Sequence, residues 1–143
     1  MKKKLLIAGH DLKFFTLILQ ELKKSNKYDI KVDEWKGHAI HDISESQKYL
    51  EWADIIFCEW GLGNAVWYSH RKRVDQKLII RMHSQETRAK YWENFFLGNI
   101  NEFIVITPYM FEKFHHIFNI PRKKLKMIYN MVETEKYNLP KIL

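Results

Sequence analysis

The chain has 143 residues, 46% of them hydrophobic and 15% aromatic, and a formal charge of +7. That is enough apolar material for one domain around a single core, and too much for a disordered chain. The lone cysteine, Cys58, excludes an intrachain disulfide framework and any zinc cluster built on cysteines, and no apolar run approaches the length of a membrane span.

The Lys2-Lys3-Lys4 start lacks the apolar region of a signal peptide, so a cytoplasmic protein is expected. The positive charge implies an anionic partner, for which nucleic acid, anionic lipid and phosphate-bearing substrates all qualify. The basic residues gather at Lys2 to Lys4, Lys23-Lys24, His70 to Arg73 and Arg122 to Lys126. Most of these positions fall at predicted helix ends or in loops, where a solvated face explains them equally well.

Along the chain, Lys4–Ala8 predicts a strand, and Leu12–Lys24 carries Phe15, Ile18, Leu19 and Leu22 at helical spacing. Tyr28–Val32 alternates as a second strand. Ser44–Trp52 predicts a short helix leading into a strand at Asp54–Cys58, inside which Cys58 reads as a buried core residue. Asn64 is expected to cap a helix that runs to about Arg73. After a strand at Lys77–Met82, Ser84 is expected to cap a helix through Phe96, with Glu86 in its favourable first turn. Glu102–Ile106 is the next strand. Thr107-Pro108 reads as the cap and first residue of a helix to about Phe118, and a last strand is expected at Lys126–Tyr129. This alternation predicts βαβ crossovers: an α/β, Rossmann-like three-layer sandwich with a mostly parallel sheet. Residues 1–129 form that domain, while 130–143 read as a linker leading to something further.

In such a sheet, ligands bind outside the carboxyl ends of the strands. Gly9-His10-Asp11 follows the first strand, where a glycine either lets the backbone approach an anion or serves only the turn. The glycine fingerprints of dinucleotide and P-loop sites are absent. Glu59-Trp60-Gly61-Leu62-Gly63-Asn64 pairs a carboxylate with an indole, which suits a sugar: the acid accepts hydroxyl protons and the ring covers an apolar face. The same residues also fit an acid satisfied by backbone N–H groups and a tryptophan filling the domain edge. Trp67 and Tyr68 read as packing or partner surface. Arg81 and His83 share a face of an extended segment, and with Glu86 they either orient a phosphate or hydroxyl or form an internal Arg–Glu pair. His38 and His41 lack acidic or cysteine partners nearby, and the adjacent His115 and His116 diverge on a helix. No metal site is expected, and no nucleophile elbow is present.

Taken together, Gly9-His10-Asp11, Ala53-Asp54-Ile55-Ile56, Arg81-Met82-His83, Ile106-Thr107-Pro108-Tyr109 and Ile128-Tyr129-Asn130-Met131-Val132-Glu133-Thr134 resemble the N-terminal half of a GT-B glycosyltransferase of family 4. The closing segment, with Asn130, Val132, Glu133, Tyr137 and Pro140, is the most telling. Two departures are visible: His10-Asp11 stands where many relatives have a second glycine, and Met131 replaces a glycine. The resemblance implies an acceptor-binding domain of a retaining enzyme that uses a nucleotide-sugar donor and needs no metal or cofactor. Its partner would be a C-terminal GT-B domain carrying most donor contacts. It implies His83 near the transferred sugar, Gly9, His10, Asp11 and Asn130 on the donor side, and Glu59, Trp60, Asn64, Arg81, Glu86 and Thr107 on the acceptor side or supporting the cleft. A sugar or lipid-linked sugar acceptor, a role in surface polysaccharide synthesis and peripheral contact with anionic membrane at its inner face follow from the same likeness. The alternative from the residues alone is a non-enzymatic basic module binding nucleic acid, against which stands the absence of any recognition motif. A receiver-like domain is disfavoured because Asp54 begins its strand instead of ending it.

Overall fold

A computed structural model describes residues 1–130. Its strands are β1 (Lys3–Gly9), β2 (Tyr28–Glu34), β3 (Ile55–Glu59), β4 (Lys77–Arg81), β5 (Glu102–Val105) and β6 (Leu125–Met127). They form one sheet in the order β2-β1-β3-β4-β5-β6, and every pairing is parallel. The helices are α1 (Thr16–Ser25), α2 (Ile43–Trp52), α3 (Gly63–Arg71), α4 (Glu86–Ala89) and α5 (Pro108–Phe118). The expected Rossmann-like α/β architecture is therefore present, and no helix among the described residues is long and apolar enough to cross a membrane.

Successive side chains of a strand face opposite sides, and β1 uses both. Leu5 and Ile7 pack with Phe15 and with Ile18, Leu19 and Leu22 of α1. Leu6 and Ala8 face the larger core, which includes Leu50 of α2, Tyr68 of α3 and Phe114 of α5. Cys58 lies in that core, fully buried, and burial pushes its thiol pKa up.

The chain passes from β1 to β2 on one side and returns to β3 on the other. The carboxyl ends of β1 and β3 therefore flank the point where strand order reverses, the usual ligand crevice of such sheets. Close packing shapes this crevice. A methyl group on Gly9 would lie 2.6 Å from the Glu59 carbonyl oxygen, and one on Gly63 would lie 2.4 Å from that of His38. Gly9 is thus explained by packing against the end of β3, and Gly63 by passage of the His38 loop over α3.

Helix boundaries differ from expectation where tertiary contacts compete with local pattern. Thr107 caps α5 as expected, its hydroxyl oxygen accepting the Met110 N–H at 3.2 Å, with Pro108 first in the helix. The helix expected over Ser84–Phe96 is broken: Ser84 makes no side-chain cap, α4 ends after one turn, and Lys90 takes a left-handed φ of 58°. Two 3₁₀ turns, Tyr91–Asn94 and Leu97–Asn99, follow. In this arrangement Trp92 stacks on Phe118 at 4.3 Å and Phe95 lies over Phe103, so the broken segment is anchored on the core by its aromatic residues. Asn64 is not a cap either, since Leu62 precedes the helix and Asn64 lies in its first turn. The last strand is shorter than expected, although the Ile128 N–H still donates to Val105 O at 2.9 Å. The expected linker, with Val132, Glu133, Tyr137 and Pro140, lies outside the described residues.

One buried polar cluster braces the larger core. A single oxygen of Asp33, Oδ2, accepts from the Tyr68 hydroxyl at 2.6 Å, the Ser46 hydroxyl at 2.7 Å and the Trp35 indole N–H at 2.9 Å. These bonds tie β2 to α2 and α3. Burial, with the charge of Asp33, pushes the Tyr68 hydroxyl pKa well up. Removing the shared acceptor strands the buried Tyr68 and Trp35 donors and leaves Ser46 only its 2.6 Å contact with His41 Nδ1, whereas removing one donor strands none. Asp33→Ala should therefore cost roughly 3 kcal/mol or more and Tyr68→Phe only about 1 kcal/mol, read as shifts of the urea unfolding midpoint; equal costs would show that Asp33 is not the common acceptor.

Candidate functional site

The site begins with strand register. Pairing of β3 with β4 sets Glu59 beside Arg81, the last residues of their strands, on the α1 side of the sheet. Neither is accessible: Glu59 is 0% exposed and Arg81 3%. The Arg81 guanidinium bonds both carboxylate oxygens of Glu59, with Nε donating at 2.9 Å, and Nη2 also donates to Phe14 O at 3.0 Å. His83, two residues past Arg81, brings Nε2 to 2.9 Å from Glu59 Oε1. Burial works against charge on Glu59, but the bonds from His83 and Arg81 outweigh it and hold the carboxyl below its usual range.

An ionised carboxylate can only accept. Nε2 of His83 therefore carries a hydrogen, which leaves Nδ1 for a second hydrogen bond. Among the described residues Nδ1 makes no hydrogen bond. The internal ion pair considered from the sequence thus exists, but it joins Arg81 to Glu59 and not to Glu86. Glu59 is also corrected as a sugar contact: sealed beneath Arg81 and His83, it orients the imidazole and cannot reach a hydroxyl.

Trp60 is corrected in the same way. Its backbone is left-handed at φ 72°, a conformation bulky residues rarely adopt and one that surrounding structure must hold. Here the Trp60 N–H donates to Arg81 O at 3.1 Å and its indole N–H to Asp11 O at 2.8 Å. The indole is 7% exposed and lies 4.0 Å from the His83 ring, backing it. The accessible aromatic is instead Phe14, 45% exposed, 5.9 Å from His83 and 6.1 Å from Trp60. Sequence reading passed over Phe14 because it falls within the amphipathic pattern of the first helical stretch.

Asn64, 3% exposed, fastens the loop. Its amide donates to Ala8 O and Glu59 O at 2.9 and 3.0 Å, while Oδ1 accepts from the N–H groups of Leu62 and Ala65. It is a supporting residue that clamps the ends of β1 and β3 together. Asp11 faces Lys13 at 3.5 Å, and its side chain accepts the Lys13 N–H. His10 stands edge-on to His38 at 4.8 Å; burial first, and then the neighbouring His38, keep it below the ordinary imidazole value, although Asp11 opposes this. Gly9, His10, Asp11, Trp60 and His83 thus come together at one edge. Thr107, at the end of β5, is engaged in capping, and Asn130 follows β6 in irregular backbone. Among the described residues no three His, Cys, Asp or Glu side chains converge as a metal site requires.

No protein-family model matches the chain, and no curated protein is significantly similar to it.

Glu86 is the second buried carboxyl. One oxygen, Oε2, accepts the backbone N–H groups of Gly61, at 3.2 Å, and His83; the other, Oε1, is buried without a partner. Burial dominates, and despite those two bonds the pKa is pushed up to about 8, with the Glu59 charge adding to the rise. The folded protein therefore holds a proton at Glu86 that the unfolded chain releases near pH 4.5. Between these values the native state binds more protons than the unfolded state, so stability falls as pH rises. Thermal unfolding from pH 5 to 9 should show a declining midpoint that Glu86→Gln flattens, with the variant the more stable of the two above pH 8; parallel curves for the two proteins would contradict the protonated state.

Proposed function

We propose that the chain is the N-terminal, acceptor-side domain of a retaining, nucleotide-sugar-dependent glycosyltransferase, working in surface polysaccharide or other glycoconjugate synthesis. The observation that carries this reading is the held orientation of His83: buried, ionised Glu59 fixes Nε2, and the ring, 5% exposed, keeps Nδ1 without a partner at the strand edge beside the switch-point crevice. An imidazole so held suits a sugar hydroxyl, which can pair with Nδ1 in a hydrogen bond. The exposed ring of Phe14 adds an apolar surface for a sugar face.

In this reading Glu59 and Arg81 position His83, Trp60 backs it, and Asn64 and Glu86 fix the loops around it. A C-terminal domain of the natural protein would bring the nucleotide-sugar to the opposite wall, over Gly9, His10 and Asp11, with Asn130 near the passage between the domains. The acceptor would be a sugar or a lipid-linked sugar. The net positive charge favours peripheral contact with an anionic membrane. The enzyme would need neither metal nor cofactor for transfer.

The full natural protein, given a panel of UDP-, GDP- and CMP-linked sugars, should consume one donor in the presence of a chelator, and the 143-residue chain alone should consume none. His83→Ala should lower turnover by about 100-fold or more, the scale of losing one oriented hydrogen-bonding group at a reacting centre. If no donor is consumed and the chain instead binds RNA with steep salt dependence, the non-enzymatic basic module is the correct reading.

A further inference from the structure

A cavity of about 460 Å³ opens beside the His83 edge, lined by His38, Gln85, Arg88, Ala89 and Tyr91. It is joined to the site by a chain of rings: His38 lies 4.8 Å from His10, His10 lies 6.3 Å from Trp60, and Trp60 lies 4.0 Å from His83. Gln85 is two residues beyond His83 in sequence. The lining is chemically one-sided. His38, Gln85, Arg88 and Tyr91 all offer hydrogen-bond donors, and no carboxylate lines the cavity. Arg88 is exposed, and among the described residues its guanidinium forms no ion pair and no side-chain hydrogen bond, so it is free to meet a ligand. Across Tyr91, a second cavity of about 300 Å³ has Trp35, Val66 and Trp67 on its walls, with His41, Arg71 and Asn94 adding polar groups to a mostly apolar lining.

We propose that the cavity between His38, Arg88 and Tyr91 seats an anionic group of the phosphate type, so that the acceptor is an anionic molecule with an apolar or aromatic portion directed across Tyr91. The inference rests on the acceptor-side reading above and narrows it to a substrate class. A guanidinium fork matches two oxygens of a phosphate at once. Tyr91, which lines both cavities, is placed to bond the anion by its hydroxyl and to face the apolar portion with its ring. The position of His38 is set by backbone, because its carbonyl passes directly over Gly63. One wall of the site is therefore a packed turn at the base of α3, and the other is α4 with the turn after it.

The test is a titration of the histidine ring NMR signals of the 143-residue chain at fixed ionic strength. The probes are inorganic phosphate, phenyl phosphate, and phosphatidylcholine vesicles with and without phosphatidylglycerol. The expected result is saturable movement of the His38 and His10 signals, with His115 and His116 unmoved and phenyl phosphate binding more tightly than inorganic phosphate. Arg88→Ala should weaken binding at least about tenfold, whereas Lys23→Ala/Lys24→Ala, at a separate basic cluster, should leave it unchanged. Saturation by the soluble phosphates identifies a soluble or water-exposed phosphate, and saturation only by phosphatidylglycerol vesicles identifies a lipid headgroup; either supports the site. Absence of saturable movement, equal movement of His115 and His116, or an unaffected Arg88→Ala variant overturns it. Sugar transfer to a neutral acceptor with His38 unmoved would sink this inference alone and leave the transferase reading standing. Saturable binding in a full-length protein that consumes no donor would uphold the anion site and sink the transferase.

Discussion

The site depends on one parallel register, the one that sets Glu59 beside Arg81. Removing two charges from water is costly, and the pair is favourable only if the remaining hydrogen-bonding positions are satisfied. Here further bonds support both partners: Arg81 also reaches Phe14 O, and Glu59 also accepts from His83. A slip of one residue would send these side chains to the opposite face of the sheet. The ion pair therefore penalises every other pairing of β3 with β4. In doing so it draws the turn before α1 and the loop after β4 toward one point.

Around that point the protein separates two carboxyls by environment. Glu59, beside a cation and an imidazole, stays ionised, while Glu86, buried among backbone N–H groups with one oxygen unpartnered, stays protonated near neutrality. Both belong to the framework of His83, one through the ring and one through the backbone N–H. The left-handed Trp60 between them is tolerated because its backbone and its indole are each tied to another loop. Gly61, bonded to Glu86, and Asn64, bonded to the ends of β1 and β3, complete a loop with little freedom to rearrange.

Strand positions were readable because their apolar runs are short and bounded, and Thr107-Pro108 was readable because a cap followed by proline acts locally. The functional edge was readable as an edge, since stops after β1, β3 and β4 show in the pattern itself. The roles were not readable. That Glu59 is sealed while Phe14 is exposed follows from pairing across strands and from a turn far away in sequence. Asp33 looks like one more polar residue of an alternating strand, and only the arrival of Ser46 and Tyr68 makes it a buried hub. His38 looked isolated because its neighbours His10 and Tyr91 come from other loops. The expected helix after Ser84 fails in a similar way: local propensity favours it, while Trp92 and Phe95 anchor the broken segment on the core.

The distribution of charge at this edge follows from the same packing. Three carboxylates near this edge are engaged inward, Glu59 by Arg81, Glu86 by its proton and Asp33 by three donors, while Asp11 is part-exposed beside Lys13 and Glu34, at the end of β2, is exposed. The donors facing the cavity have no such partners among the described residues. The fold thus hides negative charge behind His83 and leaves His38 and Arg88 in front of it. An anion entering the cavity would meet donors that have no fixed counter-charge beside them. The donors come from the loop after β2 and from α4 and the turn that follows it, whereas the hidden Glu59 ends β3.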